Sequence, residues 1–239
     1  MKTVMITGAN RSIGLETARQ LAQAGYHIFL GSRDAVRGRQ AKEQLASEGL
    51  NDIDVIPIAV NDPQSVQQAA TLVAGKTNNL DVLINNAGIL GSRLSSSAPD
   101  MAVIREVFDT NFFGAIQTTA AFMDLLKKSD APRIVNVTSD LGSLTLHCDP
   151  SWSYAHFKNP SYGPSKTALN AYTVALAYEL KDTAFKVNAV NPGYTATDFN
   201  NHSGTKNVAD AARVIVQYAM LPPDGPTGGY FSDYGITPW

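Results

Sequence analysis

The chain has 239 residues, with 19 Lys and Arg against 21 Asp and Glu, 44% hydrophobic residues and a single cysteine, Cys148. This is a globular composition, and the length suffices for one large domain or two small ones. A formal net charge of −2 without a Lys/Arg run excludes nucleic-acid binding by bulk charge. The single cysteine excludes an internal disulfide and a cysteine-based structural zinc site.

No apolar run approaches the ~18 residues of a membrane span. Residues 2–7 already have the pattern of a strand rather than that of a signal peptide. We therefore expect no membrane partner, no nucleic-acid partner and a cytoplasmic location.

Apolar, β-rich runs alternate with amphipathic stretches along the whole chain, which is typical of βαβ units. The predicted strands are Thr3–Thr7, His27–Gly31, Ile53–Val60, Leu80–Asn85, Arg133–Thr138, Lys186–Asn191 and a short last one near Tyr230–Phe231. Several are apolar on both faces, as in strands covered by helices on both sides. The pattern predicts an α/β fold in which a doubly wound parallel sheet of about seven strands forms a single domain over residues 1–239.

Connecting segments carry further signals. Asp62-Pro63 is typical of a helix start, with an N-cap followed by proline at the first helical position. Residues 90–99, 141–161 and 193–206 are expected to be loops that bind the substrate. Each follows the carboxyl end of a strand, the edge at which open α/β sheets bind ligands.

A glycine-containing turn, Thr7-Gly8-Ala9-Asn10-Arg11-Ser12-Ile13-Gly14, lies between the first strand and a helix predicted over Leu15–Ala24. Glycine permits a tight turn, and the helix N-terminus offers free N–H groups and a dipole to a pyrophosphate. The spacing is also compatible with a turn and a packing glycine, but the strand before and the helix after favour a dinucleotide site. The predicted cofactor residues here are Gly8, Asn10, Arg11, Ser12, Ile13 and Gly14.

The second strand ends in Gly31-Ser32-Arg33, where an acidic residue would bind the ribose hydroxyls of NAD. No acid precedes Arg33, and its guanidinium suits a 2′-phosphate, with Arg11 as a second positive group. Both arginines are also compatible with a solvated surface role. Their placement on ligand-facing loops favours NADP(H) over NAD and adds Ser32 and Arg33 to the cofactor residues.

Chemistry-bearing side chains follow later in the chain. Tyr162 and Lys166 lie four residues apart at the start of a predicted helix, hence on one face, and a nearby ammonium is expected to lower the phenol pKa. Ser139 follows the fifth strand and could donate to a carbonyl oxygen. Asn111 lies within a predicted helix, where asparagine more often makes local hydrogen bonds.

Taken together, these motifs resemble the short-chain dehydrogenase/reductase family over essentially the whole chain, and within it the carbonyl reductases. The matching segments are Thr7–Gly14, Asn85-Asn86-Ala87-Gly88, Asn111, Ser139, Tyr162-x-x-x-Lys166 and Pro192-Gly193-Tyr194-Thr195-Ala196-Thr197. The resemblance implies a Rossmann-like fold and an NADP-dependent oxidoreductase with no metal.

The resemblance also implies roles for single residues. Tyr162 would protonate the carbonyl oxygen, Ser139 would polarise the carbonyl, and Asn111 would hold a water that links Lys166 to solvent. Lys166 would bind the nicotinamide ribose, beside Tyr162. The remaining implied cofactor residues are Asn86, Ala87 and Gly88 at the adenosine ribose, and Pro192, Gly193, Thr195 and Thr197, the last at the nicotinamide carboxamide.

Three departures from the family pattern stand out. Ser12 occupies a position where the family usually has glycine, so either a new hydrogen bond or mild crowding beside the pyrophosphate is expected. Ala59 occupies a position where the family usually has an adenine-contacting aspartate, so a weaker or less selective adenine pocket is expected. Ser139 and Tyr162 are 23 residues apart, about ten more than in much of the family. The extra segment is expected to overhang the site. The candidate substrate residues are Leu141, Trp152, Tyr154, Phe157 and Tyr194, although the aromatic rings could simply fold the loop onto the body.

The sequence thus predicts reversible, NADPH-dependent reduction of small-molecule ketones or aldehydes to alcohols. The alternatives are an NAD-linked alcohol or hydroxysteroid dehydrogenase and a non-catalytic NADP-sensing protein. The family commonly pairs through the helices that begin near Asp100 and Tyr162. A homodimer or homotetramer is therefore compatible with the sequence, and so is a monomer.

Overall fold

A computed structural model describes residues 1–92 and 95–239, and in this part of the chain eight strands form one sheet. The strands are β1 (Thr3–Ile6), β2 (His27–Ser32), β3 (Ile53–Pro57), β4 (Val82–Asn85), β5 (Arg133–Val137), β6 (Lys186–Val190), β7 (Tyr230–Ser232) and β8 (Gly235–Ile236). Their order in the sheet is β3-β2-β1-β4-β5-β6-β7-β8, and only the β7–β8 pair is antiparallel among these strands.

The predicted parallel sheet is confirmed for its first seven strands, with bounds that differ by up to three residues at an end. The eighth strand, Gly235–Ile236, was not predicted. It consists of two exposed residues that pair back onto β7 through a tight turn. A strand this short leaves no alternation of apolar and polar residues for sequence reasoning to detect.

Helices connect the strands and cover both faces of the sheet. Their bounds are α1 (Ser12–Gln23), α2 (Ala35–Ser47), α3 (Pro63–Ala74), α4 (Met101–Phe108), α5 (Gly114–Leu126), α6 (Leu144–Cys148), α7 (Tyr162–Glu179) and α8 (Val208–Ala219). The predicted start of α3 is confirmed, because the Asp62 carboxylate accepts a hydrogen bond from the Gln64 N–H at 3.0 Å and Pro63 begins the helix.

Two of the predicted loops, 141–161 and 90–99, differ in their regular structure. The segment 141–161 is not wholly irregular, because Ser143 caps the short helix α6 by accepting a hydrogen bond from the Leu146 N–H at 3.1 Å. Five residues are too few for a helical period to show in the sequence. In the segment 90–99, residues 90–92 and 95–99 form neither helix nor strand, and residues 93 and 94 lie outside the described residues.

Alternate residues of the central strands supply two separate apolar layers. Val4 and Ile6 of β1 pack with the side chains of α1, α2 and α8, whereas Met5 between them packs with those of α3, α5 and α7. Burial on both faces explains why the strands have nearly continuous apolar sequences. The order of the sheet reverses between β1 and β4, so the loops after these strands diverge and leave a crevice at the carboxyl edge.

The turn from β1 into α1 has an unusual backbone. Gly8 has a φ of +63°, and Ser12, the first residue of α1, has a φ of +50° although it carries a Cβ. A left-handed conformation costs a non-glycine residue about 1–2 kcal/mol. Gly14 meets a different constraint, because a Cβ there would lie 2.4 Å from the Gly8 carbonyl oxygen and 3.0 Å from the Ala9 Cα.

Ser12→Gly is expected to stabilise the protein, since glycine adopts the left-handed conformation without strain. After subtraction of the backbone entropy of glycine, the gain is up to about 1 kcal/mol, or about 2–4 °C in Tm for a chain of this size. Thermal unfolding followed by circular dichroism measures this. As a control, Ser47→Gly at the exposed end of α2 should lower the Tm, and a Ser12→Gly variant that melts below wild type would show that the serine is not strained.

Candidate active site

The carboxyl edge of the sheet brings together the four predicted catalytic residues. Ser139 directly follows β5, Tyr162 and Lys166 lie in the first turns of α7, and Asn111 lies in a π-helical turn between α4 and α5. The Ser139 hydroxyl is near enough to the Tyr162 phenol to lower its pKa, and the Lys166 ammonium lies 5.8 Å from the centre of the Tyr162 ring. These residues come from three separate parts of the chain and form one polar cluster.

Asn111 is held by residues far from it in the sequence. Its Oδ1 accepts from the Ile89 N–H at 2.8 Å, and its Nδ2 donates to the Ile89 carbonyl at 3.0 Å and to the Ser165 hydroxyl at 3.0 Å. The side chain is buried, so these bonds fix the end of the loop after β4 against α7. The alternative that Asn111 only makes local hydrogen bonds is therefore wrong.

Ser165 also belongs to this cluster, although sequence reasoning did not name it. Its hydroxyl accepts from Asn111 and donates to the Tyr162 carbonyl at 2.7 Å, so it links Asn111 to the first turn of α7. The sequence could have indicated this role, because Ser165 lies three residues after Tyr162 and immediately before Lys166. A serine at this spacing can bond the preceding helical turn and still accept a bond from outside.

Burial shifts both titrating groups of the cluster. The Lys166 side chain is 3% exposed, its Nζ donates to the Val137 carbonyl at 2.8 Å, and burial lowers its pKa to about 8. Burial raises the pKa of Tyr162 to about 12; the hydrogen bond with Ser139 opposes this, and the charge of Asp140 adds to it. The expected fall of the Tyr162 pKa is wrong for this structure, because desolvation of the phenol dominates. Tyr162 therefore holds its proton throughout the neutral range.

The predicted nucleotide turn is tied to the loop after β4. The Thr7 hydroxyl accepts from the backbone N–H groups of Asn86 and Ala87, both at 3.0 Å. The Asn86 amide donates to the carbonyls of Thr7 at 2.9 Å and Gly8 at 3.1 Å. The two loops at the crevice are thus held together by the side chains of Thr7 and Asn86, of which only Asn86 was predicted to bind the cofactor.

Around this turn, several predicted residues keep hydrogen-bonding groups open to a ligand. Within the described residues no side chain caps α1, whose N-terminus lies next to the half-buried residues Asn10, Ser12 and Ile13. Gly88 borders the catalytic cluster, because a Cβ there would lie 3.3 Å from the Asn111 Oδ1 and 3.6 Å from the Lys166 Nζ. Because Gly88 has no side chain, the backbone of the loop after β4 comes close to the Lys166 ammonium.

The two predicted arginines differ in their surroundings. Arg33 is exposed directly after β2. Arg11 is also exposed and forms an ion pair with Asp198 at 3.8 Å, so its charge is shared with the loop after β6. The buried Ser32 hydroxyl donates to the Asp34 carbonyl at 2.7 Å, which commits its proton to the start of α2. Arg33 is the less restrained of the two cations.

The loop after β6 closes on itself near the cluster. Gly193 has a φ of +80°, its N–H donates to the Asn191 Oδ1 at 2.9 Å, and the Thr195 hydroxyl donates to its carbonyl at 3.0 Å. Thr195 forms a β-bridge with Lys206, and Pro192, Thr195 and Thr197 are buried. This loop is therefore a folded unit.

Aromatic rings border the cluster on the side away from the nucleotide turn. Trp152 and Tyr154 lie with ring centres 5.7 Å apart, and Tyr154 lies 5.5 Å from Tyr194 of the loop after β6. Phe199, in the predicted substrate loop 193–206, lies 5.6 Å from the Tyr162 ring. The predicted substrate loops 141–161 and 193–206 thus meet through the rings of Tyr154 and Tyr194. Phe199 of the second loop contacts the ring of Tyr162.

The other two predicted substrate residues lie nearby. Phe157 is half-buried and packs against His156 at 6.3 Å between ring centres. Leu141 is half-buried in the turn after Ser139, and its carbonyl is hydrogen-bonded to the His147 Nε2 at 3.1 Å. His147 also contacts Trp152, with ring centres 5.2 Å apart, so it anchors the aromatic loop to the Ser139 turn.

Neither a membrane-spanning helix nor a metal-binding cluster is found in the described residues. In residues 1–92 and 95–239, no helix is long and apolar enough to cross a membrane. In the same residues, no three His, Cys, Asp or Glu side chains come together in a way that could hold a metal ion.

Known proteins resemble this chain over nearly its whole length. The family model for short chain dehydrogenases matches residues 2–208. The (+)-neomenthol dehydrogenase of Capsicum annuum is 31% identical over 304 aligned positions, which cover 98% of this chain and 96% of that protein.

Solved structures agree with this similarity. The NADPH-bound carbonyl reductase from chicken fatty liver has a TM-score of 0.86 at 25% identity, covering 100% of this chain and 99% of that chain. Salutaridine reductase from Papaver somniferum has a TM-score of 0.84 at 26% identity, covering 98% and 100%. The chain therefore belongs to the short-chain dehydrogenase/reductase family and is an oxidoreductase that acts on CH–OH and carbonyl groups.

Proposed function

We propose that the protein uses NADPH to reduce ketones or aldehydes to alcohols, with the reverse oxidation available. The observation that carries this proposal is that Ser139 and Tyr162 come together beside the buried ammonium of Lys166. A protonated phenol next to a second hydroxyl is the arrangement that receives a carbonyl oxygen and protonates it.

Tyr162 is the proposed general acid. Its pKa of about 12 keeps the phenol protonated at neutral pH, so it can donate to a carbonyl oxygen whose basicity rises during reduction. The Ser139 hydroxyl is close to this phenol and can polarise the same oxygen. Lys166 lies behind the phenol and would favour the phenolate once the proton has left.

The proposed cofactor site is the crevice lined by the loops after β1, β2, β4 and β6. Three observations fit a dinucleotide: the uncapped N-terminus of α1, the close approach at Gly8 and Gly14, and the buried ammonium that faces Gly88. Bound NADPH would supply the hydride. The residues proposed to hold it are Gly8, Asn10, Arg11, Ser12, Ile13, Gly14, Ser32, Arg33, Asn86, Ala87, Gly88, Tyr162, Lys166, Pro192, Gly193, Thr195 and Thr197.

The proposed preference for NADPH rests on Arg33. It is an exposed cation at the end of β2, and its guanidinium can pair with a phosphate through two hydrogen bonds. The carbonyl reductase that resembles this chain was solved with NADPH bound.

The proposed substrates are bulky apolar ketones. Phe199 contacts the Tyr162 ring, and Trp152, Tyr154 and Tyr194 form a connected row of ring contacts in the two predicted substrate loops. Such aromatic surface binds apolar rings better than small polar carbonyls. The names of the neomenthol dehydrogenase and the salutaridine reductase point to ring-containing substrates for those two proteins.

Self-association through α4 and α7 stays a prediction. Met101 on α4 is 49% exposed, and Val174 and Tyr178 on α7 are 43% and 69% exposed. These side chains are apolar or aromatic surface of the kind that a second copy could cover.

Tyr162→Phe is expected to lower kcat for ketone reduction by at least about 1000-fold, because the variant has no proton to donate. NADPH fluorescence titration should give a Kd within threefold of wild type, with the factor of three marking about 0.7 kcal/mol. Tyr178→Phe, an exposed position on the same helix, is the control and should retain full activity. Turnover by Tyr162→Phe within tenfold of wild type would refute the assignment of the acid.

Arg33→Asp is expected to reverse the cofactor preference, because a carboxylate repels a 2′-phosphate and accepts bonds from ribose hydroxyls. The ratio of kcat/KM for NADPH to that for NADH should fall by about 100-fold or more, equivalent to about 2.7 kcal/mol. Arg39→Asp on α2 changes the same charge at an exposed position and should leave the ratio within about threefold. An unchanged ratio in Arg33→Asp would show that Arg33 does not determine the cofactor preference.

The pH profile of cofactor use should report Lys166. In the free enzyme its pKa is about 8, so the cation that is proposed to bind the nicotinamide ribose is lost as the pH rises through that value. Initial rates between about pH 6 and pH 10 should show kcat/KM for NADPH level on the acid side and falling above pH 8. A profile that stays level to pH 10 would mean that Lys166 does not titrate in this step.

A further inference from the structure

The carboxylate of Asp140 lies next to the proposed reacting groups but takes no part in the proton transfer itself. Asp140 follows Ser139 directly and is partly buried. Its Oδ1 accepts a hydrogen bond from the Tyr234 phenol at 2.7 Å and another from the Asn191 side-chain amide. One carboxylate oxygen therefore binds two other segments of the chain.

Both of these segments matter for the geometry of the site. Asn191 immediately precedes Pro192, and its Oδ1 accepts from the Gly193 N–H at 2.9 Å, so the bond to Asp140 also fixes the start of the loop after β6. Tyr234 lies in the turn between β7 and β8. Tyr230 of β7 donates to the Ser139 carbonyl at 2.6 Å, which places a second phenol of the same hairpin against the same turn.

A cation completes the arrangement from the far side of the loop. The Lys206 ammonium pairs with Asp233 at 2.7 Å, and a Cβ on Gly193 would lie 2.7 Å from the Lys206 Nζ. Lys206 thus packs directly on Gly193, and its charge acts on Asp140. The Ser139 turn, the loop after β6 and the C-terminal hairpin meet at this one carboxylate.

Retaining a carboxylate here costs stability. Burial raises the pKa of Asp140 above the usual aspartate value, with the hydrogen bonds from Tyr234 and Asn191 and the charge of Lys206 opposing the shift and Asp233 adding to it. The folded state therefore holds this proton more tightly than the unfolded state, so the contribution of Asp140 to stability is lost as the pH rises through its folded pKa. At neutral pH a neutral side chain of similar shape should be at least as stable.

We propose that Asp140 is a positioning residue that joins the Ser139 turn to the loop after β6 and to the C-terminal hairpin, and so fixes the Ser139 hydroxyl relative to the cofactor and the substrate. This inference rests on the proposed function, because Ser139 and the loop after β6 have their assigned roles only in that reaction. Asp140 acts through Ser139 and Asn191 and does not itself contact the carbonyl.

The charge of Asp140 gives the proposal a second consequence. It disfavours the Tyr162 phenolate, so removing it lowers the phenol pKa. The titratable groups that face Asp140 are Tyr162 of α7, Lys206 of the loop after β6, and Tyr230, Asp233 and Tyr234 of the hairpin. In alcohol oxidation Tyr162 must be deprotonated, so the rising limb of kcat against pH moves to lower pH when the charge is lost.

Three variants separate the hydrogen bonds from the charge. Asp140→Asn keeps an oxygen acceptor and loses the charge, Asp140→Ala loses both, and Tyr234→Phe loses one hydrogen bond and keeps the charge. Asp130→Asn removes an exposed carboxylate at the opposite edge of the sheet and is the matched control. Each protein is measured for Tm, for the Kd of NADPH by fluorescence, for kcat and KM with a panel of cyclic ketones, and for the pH profile of alcohol oxidation.

The expected results differ between the variants. Asp140→Ala should lower kcat by about 10- to 100-fold with a smaller change in KM, as a small displacement of reacting groups does. Its Tm at pH 7 should not fall by more than a few degrees. Tyr234→Phe should lower kcat about threefold to tenfold, as expected for loss of one hydrogen bond from a largely exposed side chain. Asp140→Asn should shift the oxidation limb to lower pH, which Tyr234→Phe should not.

Two outcomes overturn the inference while leaving the proposed function intact. In the first, Asp140→Ala and Asp140→Asn keep the wild-type kcat for ketone reduction, and their kcat for alcohol oxidation rises with pH over the same range as in wild type. The other is a purely structural pattern, in which the Asp140 variants lose NADPH binding and Tm together and Tyr234→Phe keeps wild-type kcat. If the wild-type enzyme reduces no ketone in the panel although it binds NADPH, the proposed function fails and this inference fails with it.

Discussion

Burial of the Lys166 ammonium beneath the carboxyl edge of the sheet is the constraint around which the site is built. A cation that is 3% exposed needs acceptors, and the Val137 carbonyl at the end of β5 supplies one at 2.8 Å. The loop after β4 comes close to the ammonium, because Gly88 carries no side chain. Asn111 bonds to the loop after β4 and to Ser165 on α7, and so fixes both beside the ammonium. The π-helical turn between α4 and α5, which carries Asn111, is therefore part of the site.

The same burial explains why the two titrating groups suit their proposed tasks. Desolvation disfavours charge on either residue, so it lowers the pKa of Lys166 and raises that of Tyr162. The phenol stays protonated at neutral pH and is ready to act as an acid, and the ammonium is poised to lose its proton within an accessible range. A site with the same residues at the surface would keep both groups near their ordinary values.

Much of the fold was predictable because its determinants are local. Apolar runs predicted seven strands, because burial on both faces requires several consecutive apolar residues. Asp62-Pro63 predicted the start of α3, because helix capping depends on residues that are adjacent in the sequence. The short strand β8 and the helix α6 left no such mark. The strain at Ser12 was also invisible, because a φ of +50° depends on how the whole turn after β1 packs.

The sequence by itself determined the fold class, the family resemblance and the types of group at the site, because Tyr162, Lys166 and Ser139 occur in short motifs next to predicted strands and helices. Only the tertiary structure decided which of these groups meet and how burial shifts their proton affinities. Ser165, Phe199 and Asp140 acquire meaning through partners elsewhere in the chain, such as Tyr234, which is 94 residues from Asp140. Contacts across such separations are set by the order of strands in the sheet, and no local pattern encodes that order.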